Sequence, residues 1–284
     1  MGERIFVVGA GSMGSGIAQT FATAGFDVTM HDVKKEYVDA GFGRISGPLL
    51  KRVEKGKMTT AEVDAIVSRI TPSTDFGDAQ QADLIIEAVF EKMEVKKEVF
   101  SRLDAVAKPG AVLATNTSSL SISEIAAATK RPQDVIGMHF FNPAPVMKLV
   151  EVIRGSLTSD ATFHKAAAIC TKLGKEAVAV NEAPGFVVNR MLVPMMNEAF
   201  NILMEGVASA EDIDKAMKLG TNMPMGPFEL ADYTGLDIGL HTMETLFSET
   251  GDPKFRPSPL LRKYVRAGRL GRKVGIGVYD YRSG

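Results

Sequence analysis

The chain has 284 residues, enough for one large domain or two modest ones, with a core that needs no covalent staples. A hydrophobic content of 45% and a charged content of 24% are ordinary for a soluble globular protein, and a formal net charge of -1 gives no electrostatic reason to expect nucleic acid or a membrane surface as partner. Cys170 is the only cysteine, which excludes an intramolecular disulfide and any cysteine-based metal site.

The first strand starts almost at once, in MGERIFVVGAG, with no charged-then-apolar leader before it. No apolar run approaches the roughly 20 residues that a membrane span requires. A cytoplasmic setting is therefore expected, or a matrix after a removed leader. Strands are expected at Arg4–Val8, Asp27–His31, Leu84–Ala88, Val112–Thr115, Val135–Met138, Lys148–Ile153 and Ala177–Val180. Most are near-continuous apolar runs, as in a sheet covered on both faces, and helical patterns alternate with them. This predicts a parallel α/β fold of the Rossmann-type doubly wound class.

Residues 34–70 depart from the alternation. They read as an inserted helical hairpin, with Thr59 and Glu62 forming a capping box between its helices. Ser121 and Glu124 offer a second box opening a helix over Ile122–Thr129. After Asn181 no strand follows. Pro184–Glu205 reads as a long apolar helix with Pro184 in its first turn and a kink at Pro194. Ser209 with Asp212 caps the next helix, and Gly226–Pro227 starts another. The chain thus divides into residues 1–183, a dinucleotide-binding domain, and 184–284, an all-α domain.

Gly9-Ala10-Gly11-Ser12-Met13-Gly14 follows the first strand and opens a helix, and Asp32 ends the second strand about 20 residues on. In that context the first glycine serves the tight turn, the second admits a pyrophosphate and the third lets helix and strand pack. The helix N-terminus favours the anion, and Asp32 accepts from the ribose hydroxyls. A tight turn without a ligand is the plainer alternative. Asp32 repels a 2′-phosphate and so favours NAD over NADP, although Lys34 and Lys35 could pair with phosphate. Glu91 and Lys96 fall near the same crevice, where spacing alone reads them as a solvated helix start.

Ser118, in NTSSLS, lies past a strand C-terminus. His139, in IGMHFFNP, falls just after the end expected for the next strand, so both face the crevice of a doubly wound sheet. Oxidation of an alcohol needs a hydride acceptor and a base for the hydroxyl proton. Histidine suits the second task because its unperturbed pKa is about 6.5. Glu151, on the following strand, is the carboxylate that would orient and charge-stabilise it. Read from the residues alone, His139 could equally be structural and Glu151 a salt-bridge partner. His31 lies within a strand, and His164 and His241 sit in helical patterns.

Eight strings in order across nearly the whole chain, VGAGSMGSGIAQ, EAVFE, ATNTSSLSI, GMHFFNPAPVMKLVEVI, PGFVVNRML, AMKLG, PMGPFELADYTGLD and GRKVGIGVYDY, resemble the 3-hydroxyacyl-CoA dehydrogenases, particularly the short bacterial type. The resemblance implies His139 as general base, Glu151 as its partner, and Ser118 and Asn189 binding the reacting oxygen and thioester region in a cleft between the domains. It also implies Glu91, Lys96, Asn142 and Lys273 as cofactor contacts. The basic run LLKRVEKGK, alone a solvated helix face, would by the resemblance hold the phosphates of coenzyme A through Lys51 and Lys55. The implied reaction is NAD-dependent interconversion of (S)-3-hydroxyacyl-CoA and 3-ketoacyl-CoA, by a homodimer formed through the C-terminal domain. The methionines of MLVPMMNEAFNILM read as core filler. The glycine-rich GRLGRKVGIGVYDY reads as a loop and short turn returning toward the cofactor domain. Two rivals are a dehydrogenase of free 3-hydroxy acids using a catalytic lysine and a non-catalytic NAD-binding relative.

Overall fold

The apolar run at the start of the chain forms β1 (Arg4–Val8), buried from Ile5 onward. In the computed structural model, which describes residues 3–282, α1 (Ser12–Thr23) follows it and β2 (Asp27–His31) lies parallel beside it. The stretch 34–70 supplies α2 (Lys35–Glu54) and α3 (Thr60–Val67). Between them the Thr59 hydroxyl accepts from the Glu62 amide, and the Glu62 carboxylate accepts from the Thr59 amide at 2.7 Å, the reciprocal box the spacing predicts. The hairpin shares the core of the sheet: Val38, Ile45 and Leu49 of α2 and Val63 and Ile66 of α3 cluster with Ile5, Val7, Phe21 and Val28.

β3 (Ile70–Ser73), which the sequence pattern does not announce, adds to the outer side of β2. Its sequence ITPS is short and carries Pro72, which has no amide donor and is tolerated at a sheet edge. β4 (Leu84–Glu87) then crosses to the other flank of β1. After it come α4 (Met93–Val106), β5 (Val112–Thr115), α5 (Ile122–Ala126) and β6 (Val135–Phe140), extending a parallel sheet. Ser121 caps α5 through the Glu124 amide at 3.0 Å, but the Glu124 carboxylate pairs with Lys97, so the expected reciprocal box is half formed; the helix, expected to reach Thr129, ends at Ala126.

The parallel pattern stops at β6. Residues 141–148 are too few to house a crossover helix, so β7 (Leu149–Arg154) returns antiparallel to it. After α6 (Asp160–Lys172), β8 (Glu176–Asn181) pairs parallel to β7 at the far edge. The strand order is β3-β2-β1-β4-β5-β6-β7-β8, a doubly wound sheet as expected, parallel except that its last two strands run against the others. Winding reverses between β1 and β4, so the crevice beyond their C-terminal ends is the topological switch point of the sheet.

The contacts divide the chain into two units, Met1–Ala183 and Pro184–Gly284. In the second, Gly185 (φ +72°) and Phe186 (φ +51°) are both left-handed, which no right-handed helix accommodates. The first helix there, α7 (Val188–Met204), therefore starts after Pro184 rather than at it, and runs through Pro194. Ser209 caps α8 (Ala210–Thr221) through the Asp212 amide, and Pro227 takes the first position of α9 (Pro227–Thr234). With α10 (Leu236–Thr250) and α11 (Pro259–Arg266) these helices enclose a core of Met196, Phe200, Phe228, Met243 and Leu246. The glycine-rich C-terminal stretch is held within this unit. Asp232 accepts from the Val278 and Tyr279 amides, and Asp214 accepts from the Tyr279 hydroxyl. Among the described residues no helix is long and apolar enough to cross a membrane.

Candidate active site

Gly9 leaves β1 with φ +102°, and a Cβ there would lie 2.6 Å from the Ala88 carbonyl oxygen just past β4. A Cβ on Gly14 would lie 1.8 Å from the Gly9 carbonyl oxygen. The loop therefore closes on itself and on β4, and only glycine fits at both places. A Cβ on Gly11 would meet nothing within 4 Å, so the backbone there is open to an approaching group. Ser12, Met13 and Gly14 form the first turn of α1, whose amides have no intrahelical acceptor and whose dipole favours an anion. Asp32 accepts from the Ala10 amide at 2.8 Å through Oδ2 and from the Val33 amide at 2.7 Å through Oδ1. Each oxygen retains a second lone pair for a ribose hydroxyl. The residues present thus suit a nicotinamide dinucleotide. Arg44 of α2, which sequence reasoning passed over, donates to the Ala10 carbonyl at 3.1 Å and braces the loop from the hairpin side.

The wall beyond β4 is no solvated helix start. Lys96 is only 1% exposed, and its ammonium lies 2.7 Å from Glu87 Oε1 and 3.2 Å from Glu91 Oε2. Glu87 also accepts from the Val89 amide and the Thr115 hydroxyl, both at 2.7 Å. Glu91 Oε1 accepts from the Thr117 hydroxyl at 2.6 Å, the Ser118 amide at 2.8 Å and the Ser118 hydroxyl at 3.1 Å. Burial alone would push the Glu91 carboxyl up. Lys96 beside it, with the donors of Thr117 and Ser118, more than offsets that and holds it below the usual carboxylate range. Lys96 stands inside the wall, and Glu91 bridges it to the loop that carries Ser118. Glu87 was not singled out from the sequence. The signal was there, in a carboxylate ending the buried run LIIE.

His139 lies within a strand, not past one. β6 continues to Phe140, and His139 is its penultimate residue. The antiparallel turn of β7 places Glu151 directly opposite, and side chains of paired residues share a sheet face. The Nδ1···Oε2 distance is 2.8 Å, with His139 6% and Glu151 1% exposed. A carboxylate can only accept, so Nδ1 carries the proton and Nε2 is the basic nitrogen. The Phe141 ring lies 4.4 Å from the imidazole, centroid to centroid. Asn116, also missed in the sequence, accepts from the Phe140 amide at 2.9 Å and ties the end of β6 to the loop after β5. Thr115 pairs with Gly137, so Ser118 and His139, a few residues further on, share one edge of the sheet.

The other expected residues are placed as follows. Asn142 is exposed in the segment between β6 and β7, beside a cis bond to Pro143. Lys51 and Lys55 are exposed at the C-terminal end of α2, one turn apart. Asn189 is half-buried in the first turn of α7, in the second unit. Lys273 is in that unit too, its ammonium 2.6 Å from both oxygens of Asp237. His31 is buried between the rings of Phe6 and Phe76, and burial pushes its pKa down. Among the described residues no group of carboxylates, histidines and cysteine could hold a metal ion.

Two family models cover the chain. One, described as 3-hydroxyacyl-CoA dehydrogenase, NAD binding domain, matches residues 4–183, and the other, 3-hydroxyacyl-CoA dehydrogenase, C-terminal domain, matches residues 185–281. A relative from Bacillus subtilis (strain 168), named probable 3-hydroxybutyryl-CoA dehydrogenase, is 56% identical over 279 residues, which are 98% of this chain and 97% of the relative. One from Clostridioides difficile, named 3-hydroxybutyryl-CoA dehydrogenase, is 52% identical over 98% of this chain and 99% of its own. The crystal structure of (S)-3-hydroxybutyryl-CoA dehydrogenase from Ralstonia eutropha superposes with a TM-score of 0.95 at 47% identity and covers 99% of both chains.

Proposed function

The chain belongs to the 3-hydroxyacyl-CoA dehydrogenase family, and from that premise we propose that it interconverts (S)-3-hydroxyacyl-CoA and 3-ketoacyl-CoA with NAD, acetoacetyl-CoA and 3-hydroxybutyryl-CoA being the expected pair. The observation that carries the reading is the buried His139–Glu151 pair at the sheet edge that also bears Ser118, on a domain whose glycine loop suits a dinucleotide. When bound, the nicotinamide supplies the hydride acceptor for carbon 3. His139 Nε2 takes the hydroxyl proton as the carbonyl forms. Glu151 stabilises the imidazolium that results and keeps the ring in one tautomer. In reduction His139 returns that proton to the new alkoxide. Ser118 and Asn189 hydrogen-bond the reacting oxygen and the thioester region. Glu91, Asn142 and Lys273 hold the cofactor, and Lys96 acts by fixing Glu91.

Asp32 supports NAD over NADP, because a 2′-phosphate would meet a carboxylate. Lys51 and Lys55 would meet the phosphates of coenzyme A. A homodimer through the second unit, in a cytoplasmic setting, completes the reading. Met191 (73% exposed) and Leu219 (77% exposed) are apolar side chains of that unit that a second copy could cover, and a monomer mass in light scattering would refute the dimer.

The test is reduction of acetoacetyl-CoA by the His139→Gln variant. Turnover should fall by roughly a thousand-fold with NADH affinity nearly intact. Activity within a few-fold of the parent, or lost NADH binding, would count against the role. Equal activity on free acetoacetate would point to a free-acid dehydrogenase.

A further inference from the structure

Lys175 joins α6 to β8, follows Gly174 (φ +66°), and is only 7% exposed. Its ammonium donates to the Ala144 carbonyl at 2.7 Å and to the Met147 carbonyl at 2.6 Å. Among the described residues no carboxylate pairs with it, and burial pushes its pKa below the usual lysine range. Burying a cation against neutral dipoles is costly, so its two bonds must set something that apolar packing would leave loose.

What they set is the segment between β6 and β7. The Val146 and Met147 amides donate to the Pro143 carbonyl, closing a turn, and Lys175 grips that turn at both ends. On its other side the turn rests on α1. A Cβ added to Gly16 would lie 3.3 Å from the Ala144 Cβ and 3.4 Å from the Pro145 Cδ. Upstream the same segment carries Asn142 and Phe141, whose ring lies against the His139 imidazole. It is tied to the sheet by Asn116 at Phe140 and next held by Lys175 at Ala144.

We propose that Lys175 is a positioning residue, which pins the 143–147 turn against α1 and thereby fixes the Phe141 ring against His139. This rests on the dehydrogenase reading for its kinetic consequence but not for its geometry. Lys175→Met keeps the aliphatic stem and removes the charge and donors. Its turnover of acetoacetyl-CoA, per folded molecule, should fall about ten-fold or more, with the Michaelis constant for the thioester changed far less. The His139 ring resonance, assigned by its loss in His139→Gln, should move toward that of an imidazole without a ring beside it. Val63→Ala, a cavity in the α3 core, serves as a control of lowered stability and should leave that resonance in place. If Lys175→Met does not fold, Lys175→Gln carries the same measurements, since its shorter, neutral side chain withdraws the charge and draws its donor back from the two carbonyls. A variant that melts earlier but keeps the parent turnover and the parent His139 resonance overturns the proposal. Should the parent turn over no acyl-CoA, the functional reading fails, and the resonance alone decides this one.

Discussion

Glu151→Gln isolates the charge of the pair from its shape. The amide oxygen can still accept from His139 Nδ1–H across the 2.8 Å contact, but the imidazolium formed in the reaction loses its counter-charge. Both groups are buried, so screening by solvent is slight. With charge centres about 4 Å apart and an effective dielectric of about 20, the attraction is about 4 kcal/mol. The neutral hydrogen bond that survives is worth about 1 kcal/mol, leaving a loss of about 3 kcal/mol. That corresponds to roughly a hundred-fold in turnover. The assay is NADH absorbance at saturating acetoacetyl-CoA, with NADH affinity measured separately by fluorescence. Affinity should stay within a factor of about two, because the charge removed lies on β7 while the glycine loop belongs to β1 and α1. Turnover within about five-fold of the parent, or a loss explained by weaker NADH binding, would refute the view that the carboxylate works through imidazolium charge.

Asp32→Ser removes the carboxylate that a 2′-phosphate would meet, and should raise activity with NADPH relative to NADH by about ten-fold or more. An unchanged ratio would show that discrimination lies elsewhere. The double variant Lys51→Glu, Lys55→Glu should raise the Michaelis constant for acyl-CoA several-fold at unchanged turnover, with the difference shrinking as salt is added. An effect on turnover alone would remove these lysines from coenzyme A binding. Glu91 titrates below its ordinary value of 4.5, so its ionised form stabilises the fold above that pH and the contribution is lost as pH falls through the depressed value. Urea midpoints should therefore show Glu91→Gln less stable than the parent at neutral pH, with the gap closing below pH 4.5. A gap that stays constant into acid would refute the assignment.

Much of this protein is written locally. The glycine loop, the run of buried strands, the Thr59–Glu62 box, the Ser209 cap and the change of texture after Asn181 are all short-range patterns. Each rests on backbone freedom, side-chain periodicity or a cap within one turn, and such signals need no knowledge of what lies across the molecule. His139 and Glu151 could be nominated for the same reason, as polar residues set into apolar runs.

Their pairing is expected there as well, but the register that delivers it could not be read. It depends on β7 running back antiparallel, which puts residue 151 opposite residue 139, and a strand's own pattern is the same in either direction. The same holds for Glu87, whose charge is matched by Lys96 from the next helix, and for Asn116, whose partner is Phe140. β3 escaped notice because an edge strand is stabilised by its neighbour β2 rather than by its own residues. The ion cluster behind Ser118 and the register of the His139–Glu151 pair are thus products of packing between distant segments. Burial there turns ordinary side chains into matched charges, and only the assembled sheet decides which ones meet.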